Sequence, residues 1–223
     1  MREDTRSAEA RLCRPRSRQE MARRAAADIG DGWYVNLGIG IPTLIANHVP
    51  ADREVIFQSE NGLLGFGPAP AQELIDPFLI NAGKQHVTLL KGAAMLHQAD
   101  SFAMIRGRHL DLCVLGAFQV AANGDLANWA TSSNDSAPAV GGAMDLALGA
   151  QRVWVMMEHT TKEGEPRLVE SCIYPLTAPG VVSRIYTNLA VLDVTQQGFR
   201  LVELVEGLTP AELQNVTEAP ILV

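Results

Sequence analysis

The chain has 223 residues, 47% of them hydrophobic and 19% charged, with a formal net charge of −7. That length can bury one sizeable core, the apolar content excludes general disorder, and no apolar run reaches the roughly 18 residues of a membrane-spanning helix. Residues 1–24 hold eight of the 18 Lys+Arg but four of the 25 Asp+Glu, so the remaining body carries ten basic against 21 acidic groups, a net of −11 that argues against nucleic acid as a partner.

The arginines of residues 1–16 stand among Glu3, Asp4 and Glu9, which is a poor transit-peptide composition; the segment reads as a flexible tail ahead of a single domain spanning 17–223. Ser17-Arg18-Gln19-Glu20 is a capping box, and Met21, Ala25 and Ile29 recur on one face of the helix it opens. Trp33–Leu37 reads as a strand running into Gly38-Ile39-Gly40-Ile41-Pro42, where Pro42 suits the first turn of a second helix through Val49. Val55–Gln58 is the next strand, delivering Glu60 to a stretch that reads as a glycine loop, and His86–Leu90 another. Asp100-Ser101 can cap a short helix ending near Gly107. Asp111–Leu115 and Ala117–Ala121 read as strands before the tight turn Asn123-Gly124. Residues 130–141 read as a long loop, Gly142–Leu148 as a helix and Arg152–Met157 as a buried strand. Ala190–Val194 and Arg200–Leu204 make a hairpin, and Thr209-Pro210-Ala211-Glu212 caps a terminal helix. Helices alternate with strands early and strands pair later, which predicts an α/β domain around a mixed sheet.

Cys13, Cys113 and Cys172 have no metal-ligand spacing, and His97 and His109 no chelating partner, so no metal is expected and the cysteines suit a reducing, cytoplasmic setting. Glu158 and His159 read as a surface pair at a strand end. Glu60 is harder to place. It follows an apolar strand and precedes Gly62, Gly65 and Gly67, so it is either a cap of the following loop or a carboxylate held over a cleft with a backbone floor. Chemistry in open α/β sheets sits at such strand ends.

Ser59-Glu60-Asn61-Gly62, Tyr34–Thr43, Leu79-Ile80-Asn81-Ala82-Gly83-Lys84, Ser101–Gly107, Gly124–Trp129 and Gly141–Asp145 occur in the order found in class I CoA-transferases, and the chain after its tail resembles a β subunit of that family. The resemblance implies a mainly parallel open sheet with flanking helices, of the type shared with sugar-phosphate isomerases. It implies that Glu60 is a covalent nucleophile, that Asn36, Gly38, Gly40, Lys84, Gly141 and Gly142 bind substrate and coenzyme A, and that the coenzyme A thioester is a substrate with no tightly bound cofactor. A separate α subunit, in an α2β2 assembly, is implied as partner. The wording at 83–90, 97–102 and 138–145, together with Thr131–Ser136 where acetoacetate-using relatives carry a Pro-Gly-Lys-type stretch, favours 3-oxoadipate as acceptor and succinyl-CoA as donor. Acetoacetate or another short-chain acid is the alternative acceptor. Thioester hydrolysis, a non-catalytic subunit and sugar-phosphate isomerisation are the rival functions. A diacid also needs a cation for its distal carboxylate; Arg106, Arg108 or the partner chain are the candidates.

Overall fold

The computed structural model describes residues 13–132 and 139–223, and both capping boxes expected from the sequence are formed. Ser17 Oγ accepts from the Glu20 amide at 3.3 Å and Glu20 Oε2 accepts from the Ser17 amide at 2.7 Å, which starts α1 (Arg18–Asp28). Thr209 and Glu212 repeat the device at α4 (Pro210–Asn215). Between them run α2 (Gln98–Arg106) and α3 (Ala143–Gly149).

The strands are β1 (Tyr34–Leu37), β2 (Ile56–Ser59), β3 (Leu63–Phe66), β4 (Leu89–Met95), β5 (Leu112–Leu115), β6 (Gln119–Ala121) and β7 (Leu126–Ala127). They continue with β8 (Val153–Met157), β9 (Leu168–Val169), β10 (Val182–Thr187), β11 (Ala190–Thr195), β12 (Gly198–Leu204) and β13 (Ile221–Leu222). Among the described residues, ten form one sheet in the order β13-β12-β11-β10-β8-β5-β1-β2-β3-β4. Its middle run β10-β8-β5-β1-β2 is parallel, with Val35 opposite Leu112 and Phe57, and antiparallel pairs flank it. A small sheet β7-β6-β9 covers part of one face. The expected α/β architecture with a mainly parallel sheet is therefore the observed one.

Both faces of the middle strands are buried, and alternation sorts their side chains. Along β8, Val153, Val155 and Met157 pack with α2, α3 and the small sheet, while Trp154 and Met156 pack with α1. Met21, Ala22, Ala25, Ala26 and Ile29 supply the α1 side, so the four-residue repeat is the buried stripe of that helix.

Several elements depart from the expectation. Gly62–Gly67 holds a strand, β3, rather than a loop; Gly65 (φ +78°) sits where the β2–β3 and β3–β4 registers shift, so the glycines mark bulged pairing. The strand expected at His86–Leu90 begins at Leu89 and runs to Met95. Pro42 opens a 3-10 helix, Ile41–Asn47, instead of an α-helix. The helix near Asp100 starts earlier, capped by His97, whose Nδ1 accepts from the Ala99 amide at 3.1 Å. Of the expected loop, residues 133–138 lie outside the described residues, as do residues 1–12 of the expected tail. Arg16 is engaged with the body: its amide donates to Asn188 O at 2.7 Å and its guanidinium pairs with Glu203. Glu203 also receives Arg24, which with Arg184 and the Tyr186 hydroxyl holds Asp28, so α1 is tied to the β10–β12 edge.

The surface pair Glu158–His159 is not what folds. His159 is buried, because its ring joins three separate segments: Nδ1 lies 3.0 Å from Thr187 Oγ1 and Nε2 2.8 Å from Thr217 Oγ1, while its amide donates to Asn188 Oδ1. Thr217 Oγ1 donates to Leu213 O, so it accepts from His159 Nε2–H. Burial pulls the His159 pKa down to about 4. The unfolded chain therefore binds a proton here at higher pH than the folded chain does. The stability His159 confers is complete above about pH 6.5 and is lost as pH falls through about 4, with a slope approaching about 1.4 kcal/mol per pH unit inside that window. Urea unfolding at a series of pH values is expected to show this loss in the wild type and a flatter dependence in His159→Gln.

Candidate active site

Glu60 occupies the turn that joins β2 to β3, at the carboxyl end of a parallel strand. The turn closes through Gly62 N to Ser59 O at 2.9 Å. Gly62 has φ +110°, and a Cβ there would lie 2.2 Å from the Leu96 carbonyl oxygen, so no side chain fits. Ser59 is fixed from two further directions: its Oγ accepts from the Ala82 amide at 2.9 Å and its carbonyl accepts from Ser101 Oγ at 3.1 Å. Behind it Gln58 receives Asn36 Nδ2 on its Oε1 at 2.6 Å and donates Nε2 to Ser101 Oγ at 2.5 Å. Asn36, Gln58, Ser59 and Ser101 are all buried, so the backbone that carries Glu60 rests on a satisfied polar network.

The carboxylate itself is treated differently. Glu60 Oε2 is sealed from solvent and accepts no hydrogen bond among the described residues. Burial raises its pKa above the usual carboxylate range, and the charge of Asp145 adds to the rise. Asp145 is held ionised by Arg106, which meets it through Nε at 2.8 Å and Nη2 at 3.1 Å. Gly142 presses on the same oxygen: a Cβ built there would sit 2.2 Å from Glu60 Oε2 and 3.1 Å from Phe102 Cζ. Gly142 has φ −81°, which any residue adopts, so what opposes a side chain at this position is the Glu60 carboxylate itself. Neither the Gly141 nor the Gly142 amide donates to another described residue. The buried Cys113 lies near enough for Glu60, after burial, to push its thiol further above its ordinary range, which leaves it protonated and inert.

These groups open on a cleft of ≈ 890 Å³ that runs across the carboxyl ends of β2, β1, β5 and β8. Of the residues expected at a site, the structure brings Glu60, Asn36, Gly38, Gly141 and Gly142 onto its wall. Gly40 and Lys84 do not line it. Gly40 ends the turn before the 3-10 helix, and Lys84 is exposed on the turn closed by its amide to Asn81 O, next to the wall residue Ala82. Arg106 is occupied by Asp145, and neither it nor Arg108 faces the cleft. Sequence reasoning missed Gln58, Ser101, Asp145, Arg18, Lys162 and Arg167. A glutamine interrupting the apolar run Val55–Phe57 was a usable signal for the first; the rest are assembled by topology. No cluster of His, Cys, Asp and Glu suited to a metal occurs among the described residues.

Residues 18–214 match the family model described as Coenzyme A transferase. The chain is 61% identical to one of the subunits of the 3-oxoadipate CoA-transferase of Pseudomonas putida, over 92% of its own length and 96% of that protein. It is 48% identical to the corresponding subunit of the succinyl-CoA:3-ketoacid coenzyme A transferase of Helicobacter pylori, covering 91% of this chain and 97% of that one. Among solved structures, an acyl-CoA transferase apoenzyme from Escherichia coli O157:H7 superposes with a TM-score of 0.71 at 18% identity; 93% of this chain is covered and it spans 42% of that chain.

Two substitutions probe the carboxylate. Gly142→Ala is expected to leave thermal stability within a few degrees of wild type, since its worst clash is with a movable side-chain tip, but to cut turnover at least tenfold by displacing Glu60. Unchanged turnover would show that the carboxylate's position is unimportant. Asp145→Asn removes a negative neighbour and releases Arg106, so ionised Glu60 is favoured and its pKa falls; the acid limb of the pH–rate profile should move to lower pH.

Proposed function

The chain belongs to the Coenzyme A transferase family, and on that premise we propose that it moves coenzyme A from succinyl-CoA to 3-oxoadipate through a covalent intermediate on Glu60. The observation that carries the reading is the sealed, unpartnered Oε2 of Glu60 at the end of a parallel strand. A carboxylate is a weak nucleophile in water, and removing its hydration raises its reactivity toward a thioester carbonyl. In the first step Glu60 attacks the succinyl carbonyl and expels the coenzyme A thiolate, leaving a mixed anhydride. The thiolate then attacks the Glu60 carbonyl carbon, so that a glutamyl thioester forms and succinate departs. A carboxylate of 3-oxoadipate attacks that thioester, and the released thiolate attacks the new anhydride at the 3-oxoadipyl carbon. The product is 3-oxoadipyl-CoA, Glu60 returns as a carboxylate, and no proton is gained or lost overall.

The amides of Gly141 and Gly142, which donate to no other residue among those described, support a role in holding the oxyanion of each tetrahedral step. Gly38, on the wall, leaves room for backbone to approach the acyl chain, and Gly40 gives that segment its turn. Asn36 has both amide hydrogens directed to Gln58, so its contribution is to position the Glu60 strand and present Oδ1. Lys84, exposed beside Ala82, is suited to the phosphates of coenzyme A outside the cleft. The 61% identity to a 3-oxoadipate enzyme, against 48% to a 3-ketoacid enzyme, supports 3-oxoadipate over acetoacetate. Both relatives are named as one subunit of their enzyme, which supports a separate α chain; α2β2 in the cytoplasm is the assembly we propose. Residues 17–223 are the proposed transferase domain, with 1–16 as a tail ahead of it.

The test is direct. The complex with its α subunit, incubated with succinyl-CoA and then borohydride, should carry its modification on Glu60 by peptide mass spectrometry; a label elsewhere overturns the mechanism. Glu60→Gln should lose transfer by several orders of magnitude. It should also be no less stable at pH 7. Because the folded Glu60 keeps its proton to higher pH than the unfolded one, stability falls as pH rises through its raised pKa, and glutamine removes that cost.

A further inference from the structure

Ten cations stand in the acidic body after residue 24, and two of them, Lys162 and Arg167, line the cleft. Others are engaged elsewhere: Arg106 with Asp145, Arg184 with Asp28 and Asp193, Arg200 with Asp193, and Arg53 with the carbonyls of Ala27 and Ile29. Among the described residues no carboxylate lies within ion-pair distance of Lys162 or Arg167.

Their place is fixed by the chain leaving β8. Thr160 and Pro166 bridge to close a small excursion, with Thr161 N donating to Glu165 O at 2.9 Å and Lys162 at its exposed tip. Arg167 stands at the base, where its amide donates to His159 O at 3.2 Å and its carbonyl accepts from Val120 N at 3.0 Å. The backbone is thus held on both sides, and the half-buried side chain is delivered to the cleft wall. Glu158 lines the same end but is paired with Arg18 at 3.6 Å, which also lines it; Glu163 and Glu165 are exposed and stay off the wall. This end of the cleft therefore presents three cations against one carboxylate.

The strand order sets its distance from the reacting group. β2, β1, β5 and β8 are successive neighbours, so the end of β8 lies about 14 Å from the end of β2. Glu60 reaches in from one side and an arginine from the other, which leaves between them the length of a short diacid.

We propose that Arg167, assisted by Lys162, binds the distal carboxylate of a dicarboxylic acyl group whose other carboxyl carbon reacts at Glu60; the proposal rests on the transferase reading above. A half-buried guanidinium without an acid partner is satisfied by an anion, and its planar fork matches a carboxylate. A monocarboxylic 3-oxoacid ends in a methyl group and leaves that fork empty. The contact therefore selects diacids by penalising the acceptor that lacks the second charge.

The experiment uses the complete complex with its α subunit and measures kcat/KM for 3-oxoadipate and for acetoacetate. In a double-displacement reaction each value reports only the half-reaction of that acceptor, so their ratio isolates acceptor recognition. Arg167→Gln should lower the ratio by about 10- to 100-fold, mainly through KM for 3-oxoadipate, and Arg167→Lys should recover part of it. Lys162→Gln, at an exposed tip where folding is not at risk, should shift the ratio the same way by severalfold. An equal fall for both acceptors, or no change in either variant, overturns the proposal. A loss that vanishes when succinyl-CoA is replaced by succinyl-pantetheine also overturns it, assigning the cations to a coenzyme A phosphate instead. Wild-type complex that uses neither acceptor removes the transferase reading itself, and this is read before any variant is compared.

Discussion

A carboxylate oxygen closed off from water and accepting no hydrogen bond costs on the order of a few kcal/mol, and a free chain would turn it outward to recover that energy. The backbone that carries Glu60 is fixed where it stands. Ser59 before it is pinned by Ala82 and Ser101, Gly62 after it is pressed on the Leu96 carbonyl, and Asn61 donates to Ile80 O at 2.8 Å. The cost is offset by the surrounding polar groups, which are satisfied one by one: Asn36 with Gln58, Gln58 with Ser101, Ser101 with Ser59. Next to this network Glu60 Oε2 is left unsatisfied, and it belongs to the group proposed to react. Its raised pKa is the same fact expressed as proton affinity.

The sheet makes this arrangement possible. Five parallel strands buried on both faces, with alternating residues shared between α1 on one side and α2, α3 and the small sheet on the other, give a rigid platform on which the segments that follow these strands emerge at one end. Ser101 belongs to α2 and Gly142 to the start of α3, and both helices pack on the same face. The network and the crowding glycine therefore arrive from elements far apart in sequence but adjacent at the carboxyl ends of the strands.

Local chemistry is legible in the sequence where it depends on neighbours along the chain. The two capping boxes, the α1 stripe and the strands around Val35, Phe57 and Val155 need only spacing and residue type. Glu60 stands out, but with its role open, because a loop cap and a nucleophile look alike in one dimension. What is hidden depends on contacts across the fold. Glycines usually end strands, so Gly62 and Gly65 read as loop residues, whereas here they serve a tight turn and a bulge. His159 reads as a surface residue because nothing near it in sequence reveals Thr187 and Thr217, the two hydroxyls that make its burial tolerable. Arg106 looks available in one dimension, yet Asp145, at the other side of the α2–α3 contact, occupies it.

The same crowding bears on which chemistry the cleft favours. A transferase and a thioester hydrolase share the acyl-glutamate and differ in what reaches it next. On the Gly142 side, a methyl carbon would already come within 2.2 Å of Glu60 Oε2, so a water molecule cannot stand in that place either. Attack must come along the open length of the cleft, past Asn36 and Gly38 toward the cationic end at Arg167. In the proposed reaction an anionic acceptor would be drawn to that end, whereas water has no such anchor. Crowding on the Gly142 side, combined with charge placed three strands away, supports a second carboxylate over water as the incoming nucleophile of the proposed reaction.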